Sequence, residues 1–164
     1  MNRLFVLIIL TIGFTVDAQI ATSGTTNSGT NASAIGYQTS ATNTVSTAIG
    51  RETLASGETS TAMGYKTSAT NTATTAMGNN STASGITSTA IGNNSTASGE
   101  TSIAMGFETE ATNSASIAMG YQTSSTEGAS TAMGFKTTAS GFGSTSIGYE
   151  TIASGNSSTA MGWL

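Results

Sequence analysis

The sequence contains no cysteine, histidine or proline, and only 7% of its 164 residues are charged. The absence of cysteine excludes a disulfide framework and a thiolate-bound metal. Without histidine, the commonest acid–base group and metal ligand is missing. Four basic residues are too few to bind a nucleic acid, whose phosphates are contacted by Lys and Arg. We therefore expect no enzyme activity, no metal or other cofactor, and no nucleic-acid partner.

Long apolar runs are also missing, except at the N-terminus, where residues 4–14 follow Arg3. This run ends at Val16-Asp17-Ala18, whose small residues have the spacing typical of a signal-peptidase site. It is shorter than the roughly 20 residues that span a bilayer. We predict a secretory signal peptide over residues 1–18 and a secreted or cell-surface mature chain without a transmembrane segment. An uncleaved membrane anchor is the alternative.

What the sequence does contain is a strict repeat of fourteen residues. Ten glycines recur at this spacing, each preceded by Ile or Met. The main glycines, predicted to be structural turn residues, are Gly36, Gly50, Gly64, Gly78, Gly92, Gly106, Gly120, Gly134, Gly148 and Gly162. The residues before them, called the Ile/Met ladder below, are Ile35, Ile49, Met63, Met77, Ile91, Met105, Met119, Met133, Ile147 and Met161. Ala or Ser recurs at every seventh position from Ala34 to Ala160.

This pattern predicts an all-β fold, a parallel β-solenoid of fourteen-residue coils. Frequent Gly opposes long helices, whereas abundant Thr between turn residues favours short strands. Midway between the main glycines stands Gly or Asn, as at Asn43 and Gly57, and both residue types tolerate the positive φ of a turn. Glu127 breaks this rank and Gly128 follows it, so we expect a bulge or shifted turn there. Successive coils would stack about 4.8 Å apart.

Because side chains alternate along a strand, the repeat assigns faces. Ala occurs in both halves of every coil, and we expect it inside, where closely spaced sheets leave room for methyl-sized groups. The Ile/Met ladder then lies outside as a stripe roughly 40 Å long. Such a stripe indicates an interaction surface, and we expect it to be the interface of a homotrimer. The alternative is a monomer with Ile and Met inside and Ala outside.

Two segments, Ser60–Thr67 and Ser88–Ser95, resemble the S-V-A-I-G-x-x-S head repeat of YadA-like trimeric autotransporter adhesins. The resemblance covers residues 32–164, although Thr replaces Val in most repeats and Met often replaces Ile. It implies a left-handed parallel β-roll whose three chains associate side by side. It also implies projection from the outer membrane and attachment to host, matrix or other surfaces through a ligand that the sequence does not identify.

The repeat also suggests a domain organisation. After the signal peptide, residues 19–31 form an N-terminal extension or a degraded cap repeat, and residues 32–164 form the head repeats. The chain stops two residues into a further unit, without a stalk or membrane anchor, so we expect a fragment truncated at the C-terminus.

Two other functions remain open at this stage. One is an ice-binding solenoid with a flat hydroxyl array, although Leu54, Glu110 and Ile152 interrupt that face. The other is a passive fibre or tail spacer. The candidate surface-binding residues of the array are Ser68, Thr70, Thr82, Ser84, Thr96 and Ser98.

Overall fold

The computed structural model describes residues 23–163, which form short strands joined by turns and contain no helix. The predicted signal peptide, residues 1–18, lies outside the described residues. Each coil of fourteen residues contains one strand of five residues and one of two residues. The strands form two parallel ten-stranded sheets, one from the long strands and one from the short strands. The predicted parallel β-solenoid of fourteen-residue coils is confirmed.

The long sheet contains β2 (Ser33–Tyr37), β4 (Thr47–Arg51), β6 (Thr61–Tyr65), β8 (Thr75–Asn79), β10 (Thr89–Asn93), β12 (Ile103–Phe107), β14 (Ile117–Tyr121), β16 (Thr131–Phe135), β18 (Thr145–Tyr149) and β20 (Thr159–Trp163). The short sheet contains β1 (Thr26–Asn27), β3 (Ser40–Ala41), β5 (Leu54–Ala55), β7 (Ser68–Ala69), β9 (Thr82–Ala83), β11 (Thr96–Ala97), β13 (Glu110–Ala111), β15 (Ser124–Ser125), β17 (Thr138–Ala139) and β19 (Ile152–Ala153).

The register between coils has the period of the sequence, so each residue lies beside the residue fourteen positions later. In the long sheet, Ile91 pairs with Met105 and Gly92 with Gly106. The register begins inside the segment predicted as an extension or cap, because Thr26 of β1 pairs with Ser40 of β3. Equivalent side chains therefore form straight ladders along the solenoid axis.

The interior consists of two small-residue ranks. Ala from both sheets is fully buried, as at Ala90 and Ala97, so the predicted inward orientation of Ala is confirmed. The opposite assignment, with Ile and Met inside, is wrong. The second rank is Ser or Thr at every seventh position from Thr39 to Ser158, and nearly all of it is buried as well. Some of its hydroxyls bond to backbone, as when Ser60 Oγ donates to Gly57 O over 2.6 Å. Eight others, such as those of Thr67 and Ser88, have no hydrogen-bond partner within residues 23–163.

The turns contain left-handed residues at intervals of seven, from Gly24 to Ser157. Eighteen of these residues are not glycine, although left-handed backbone costs roughly 1–2 kcal/mol in such a residue. Their amides bond between coils: Glu108 N donates to Asn93 O over 2.8 Å, and Thr59 N donates to Thr44 O over 2.9 Å. The inter-coil ladder therefore holds the chain in this conformation whatever the side chain is.

The turn that follows each short strand differs from the expectation in two details, the position of the positive φ and the conformation at Glu127. The positive φ falls two residues after the Gly or Asn, at Thr59 rather than Gly57. Gly57 is needed for space, because a Cβ there would lie 1.8 Å from Asn71 O. The expected bulge near Glu127 is wrong. Ser130 N donates to Glu127 O over 3.2 Å, and Ala129 keeps the left-handed φ of its rank.

Candidate functional site

The main glycines are the fourth residues of the long strands, two positions before a left-handed corner residue such as Lys66. Gly92 has a φ of 136°, and a Cβ on it would lie 1.9 Å from Gly106 O. Most of the main glycines share both features, a positive φ and a Cβ position that would overlap the carbonyl oxygen of the next main glycine. These glycines therefore allow successive long strands to approach while the chain bends towards the corner.

The Ile/Met ladder occupies the third position of every long strand and lies on the outer face of the long sheet. Its members pair directly with one another from coil to coil, as Met105 does with Met119. Eight of the ten are partly buried by their neighbours, whereas Ile147 and Met161 are 37% and 69% exposed. The ten residues thus form one continuous apolar stripe on the surface of a single chain.

The stripe is flanked by two further ladders. On one side lie the first residues of the long strands, called the Thr/Ile ladder, which include Ile103 and Ile117. On the other side lie the last residues of the long strands. The Thr/Ile ladder comprises Ser33, Thr47, Thr61, Thr75, Thr89, Ile103, Ile117, Thr131, Thr145 and Thr159.

The last residues of the later long strands form an aromatic ladder: Phe107, Tyr121, Phe135, Tyr149 and Trp163. The first four rings stack in parallel with centroids 4.8–4.9 Å apart, and the Tyr149 and Trp163 rings meet edge to face at 5.8 Å. Phe107 and Tyr121 remain 36% and 40% exposed. The ladder therefore stabilises the stack and also presents apolar surface along one edge of the sheet.

The same rank mixes aromatic and polar residues in the earlier coils. The Arg51 guanidinium lies between the Tyr37 and Tyr65 rings, 5.7 and 5.5 Å from their centroids. Asn79 and Asn93 then occupy two successive coils without an aromatic ring. The edge beside the Ile/Met ladder is therefore mixed in the first half of the solenoid and aromatic in the second.

Charged corner residues pair across coils, as their spacing in the sequence suggests. Lys66 Nζ lies 3.7 Å from Glu52 Oε2, and Lys136 Nζ lies 3.7 Å from Glu150 Oε1. The neighbouring Tyr65 hydroxyl raises the pKa of Lys66, and the Glu52 carboxylate adds to this effect. Because these side chains are exposed, each pair contributes little to stability.

The predicted hydroxyl array lies on the outer side of the short sheet. Ser68, Thr82 and Thr96 begin successive short strands and pair in register. Thr70, Ser84 and Ser98 directly follow those strands and bond to the next coil through their amides. The structure thus brings together the six residues predicted as a surface-binding face, next to Leu54 and Glu110 in the same rank.

The described residues hold no group of three or more acidic, His or Cys side chains that could bind a metal. Glu108 and Glu110, the closest pair of acids in the sequence, are both exposed, and Glu108 accepts a hydrogen bond from Gln122 Nε2 over 2.7 Å. No helix in residues 23–163 is long and apolar enough to cross a membrane.

Comparison with known proteins adds one finding. The family described as "YadA head domain repeat (2 copies)" matches residues 28–53, 55–81, 83–109, 111–137 and 139–164. No curated protein matches the chain significantly.

Proposed function

The chain belongs to the YadA head repeat family, and we propose that it is the head of an exported surface adhesin that works as a homotrimer. Family and fold together suggest a structural, non-enzymatic protein. An adhesin head of this family is exported to the cell surface, in keeping with the signal peptide predicted over residues 1–18. The partner is a host, matrix or other surface, contacted through shallow sites that recur in every coil.

The observation that carries the proposal is the unbroken Ile/Met ladder on the outer face of the long sheet. Within residues 23–163 the buried side chains are all Ala, Ser or Thr, so the interior has little large apolar surface to stabilise it. Burying each Ile or Met contributes about 1.5–3 kcal/mol. One stripe per chain suits rotational symmetry, with the stripes of three chains meeting at the axis.

The test is adhesion of the purified, exported chain to films of extracellular-matrix protein and to cell monolayers, followed with a surface biosensor. We expect the wild-type protein to be retained. Retention should fall at least tenfold for Met119→Asp, because a charge in the stripe would separate the trimer and remove its multivalency. The matched control is Ser114→Asp, at an exposed turn residue outside both the Ile/Met ladder and the hydroxyl array of the short sheet. A folded trimer that binds none of these surfaces would favour a passive fibre spacer over an adhesin.

Ice binding is a second candidate, favoured by the in-register stack of Ser68, Thr82 and Thr96. Hydroxyls repeated at the interstrand distance form a regular lattice that ordered water can match. Thermal hysteresis separates this function from adhesion. We expect none from the wild-type chain. A hysteresis that disappears in Thr70→Tyr, with the fold unchanged by circular dichroism, would move ice binding ahead of adhesion.

A further inference from the structure

The two edges of the long sheet differ chemically, and a symmetric trimer brings unlike edges together. Around a three-fold axis each chain contacts its two neighbours through different surfaces. With the Ile/Met ladder at the axis, one flank of a chain carries the Thr/Ile ladder and the other carries the last residues of the long strands. Each seam between chains therefore joins the first flank of one copy to the second flank of the next.

We propose that Ile103 and Ile117 of one copy pack against Phe107 and Tyr121 of the next copy, forming a second apolar seam outside the Ile/Met ladder. This inference rests on the proposed trimer. It identifies the partner of the exposed aromatic ladder as a second copy of this chain. It also predicts a parallel association in which coils of the same number lie at the same height.

The match of residue types within coils supports this pairing. The only two isoleucines of the Thr/Ile ladder fall in β12 and β14, whose last residues are Phe107 and Tyr121. Each of these strands carries three outward apolar residues, because Met105 and Met119 lie between the flanks. Two such strands side by side form an apolar patch of six residues, which would be exposed to solvent in a monomer.

The polar coils match in the same way. β8 begins with Thr75 and ends with Asn79, and β10 begins with Thr89 and ends with Asn93. In a parallel trimer the Thr hydroxyls would meet the Asn amides of the neighbouring copy. A shift of two coils would instead bring Ile103 and Ile117 beside Asn residues or Thr89 beside Tyr121. The seam therefore sets the axial register of the three chains.

The absence of native cysteine makes disulfide crosslinking a direct test. The double variant Ile103→Cys/Phe107→Cys places one thiol on each flank of β12. Four positions along a strand separate the two thiols by roughly 13 Å. A disulfide needs Cα atoms within about 7 Å, so the two cannot join within one chain. After mild oxidation of the exported chain, any disulfide must link two copies.

We expect the oxidised double variant to run as a covalent trimer on a non-reducing denaturing gel. Either single variant alone, Ile103→Cys or Phe107→Cys, should stay mostly monomeric, because equal positions do not meet in the seam. If the double variant instead stays monomeric while sedimentation still gives a trimer, the seam is wrong and the proposed trimer stands. A product that stops at the covalent dimer would contradict the trimer itself.

The second pair, Ile117→Cys/Tyr121→Cys, covers the case in which the first double variant does not fold, and it should give the same covalent trimer. The matched control is the shifted pair Ile103→Cys/Asn79→Cys, in which the thiols lie two coils apart. In the proposed register it should give at least tenfold less crosslinked product than either in-register pair. Equal crosslinking by the shifted pair would overturn the assigned register.

Discussion

The outer faces of the two sheets differ, although both sheets share one interior. Inside, Ala90 of the long sheet and Ala97 of the short sheet are equally buried. Outside, the long sheet carries the Ile/Met ladder and the short sheet carries hydroxyls such as Ser84. The backbone is therefore specified by small residues common to both sheets, and the outer ladders are free to differ. In the proposed trimer the long sheet faces other copies and the short sheet faces solvent or a ligand.

The largest expected effect comes from the glycines that allow the long strands to approach. For Gly92→Ala we expect a loss of about 4 kcal/mol or more in unfolding free energy, since the Cβ would overlap Gly106 O at a strained positive φ. Urea denaturation measures it. The control is Gly128→Ala, where the nearest atoms to a Cβ would be those of the Phe142 ring, at 3.1 Å, and Ser114 O would lie at 3.8 Å. Equal stability of the two variants would contradict the close-approach argument.

The next effect separates the two outer faces. Met119→Asp places a charge in the Ile/Met ladder, and we expect association to weaken at least hundredfold, which corresponds to about 2.7 kcal/mol. Ser84→Asp on the short sheet should leave association unchanged within error. Sedimentation velocity over a concentration series measures both. Equal weakening by the two variants would show that association does not depend on the long-sheet face more than on the short-sheet face.

A smaller effect tests whether the interior is shared. Ala90→Leu and Ala97→Leu each add three carbons to a filled interior, one in each sheet. We expect each to lower the unfolding free energy by about 1–3 kcal/mol. Thermal unfolding of the two variants at one protein concentration tests this. If only the long-sheet variant were destabilised, the two sheets would not share one packed interior.

The smallest effect concerns the corner. The pKa of Lys66 is raised, chiefly by the Tyr65 hydroxyl, so its contribution is complete at pH below the unfolded lysine value. It is lost only as the pH rises through the folded value. We expect unfolding to show no dependence on Lys66 between pH 5 and 9. In NMR titrations, Tyr65→Phe should lower the Lys66 pKa more than Glu52→Gln does. The reverse order would contradict the assigned cause.

The fold could be predicted from the sequence because few backbone folds are compatible with its repeat. Each repeat has fourteen residues, and its small residues recur at fixed alternate positions of the strands. The register and the corner ion pairs follow from spacing. Spacing left open whether Ala or Ile and Met face inward, and the burial of Ala decides it. The buried hydroxyl rank was missed, although Ser or Thr recurs without a break every seven residues from Thr39 to Ser158 and shares the parity of Ala. Treating the Ser/Thr positions and the Ala positions as one inward-facing set would have predicted that the hydroxyl rank is buried.

The positions of the left-handed residues could not be predicted from residue type. Val45, Glu52 and Ala73 all adopt a left-handed φ, although such residues disfavour it. The cause is the ladder of hydrogen bonds between coils, a property of the whole stack. For the same reason the expected bulge at Glu127 is absent, because neighbouring coils impose their register on that turn.

The central claim is that the Ile/Met ladder of the long sheet is covered by two other copies of the chain. The most direct test is the mass of the exported chain in dilute solution, measured by sedimentation equilibrium. We predict three times the mass of one chain, with the native circular dichroism spectrum. A stable, folded monomer at the same concentration would contradict the claim, because the whole apolar stripe would then be exposed to water without cost to the fold.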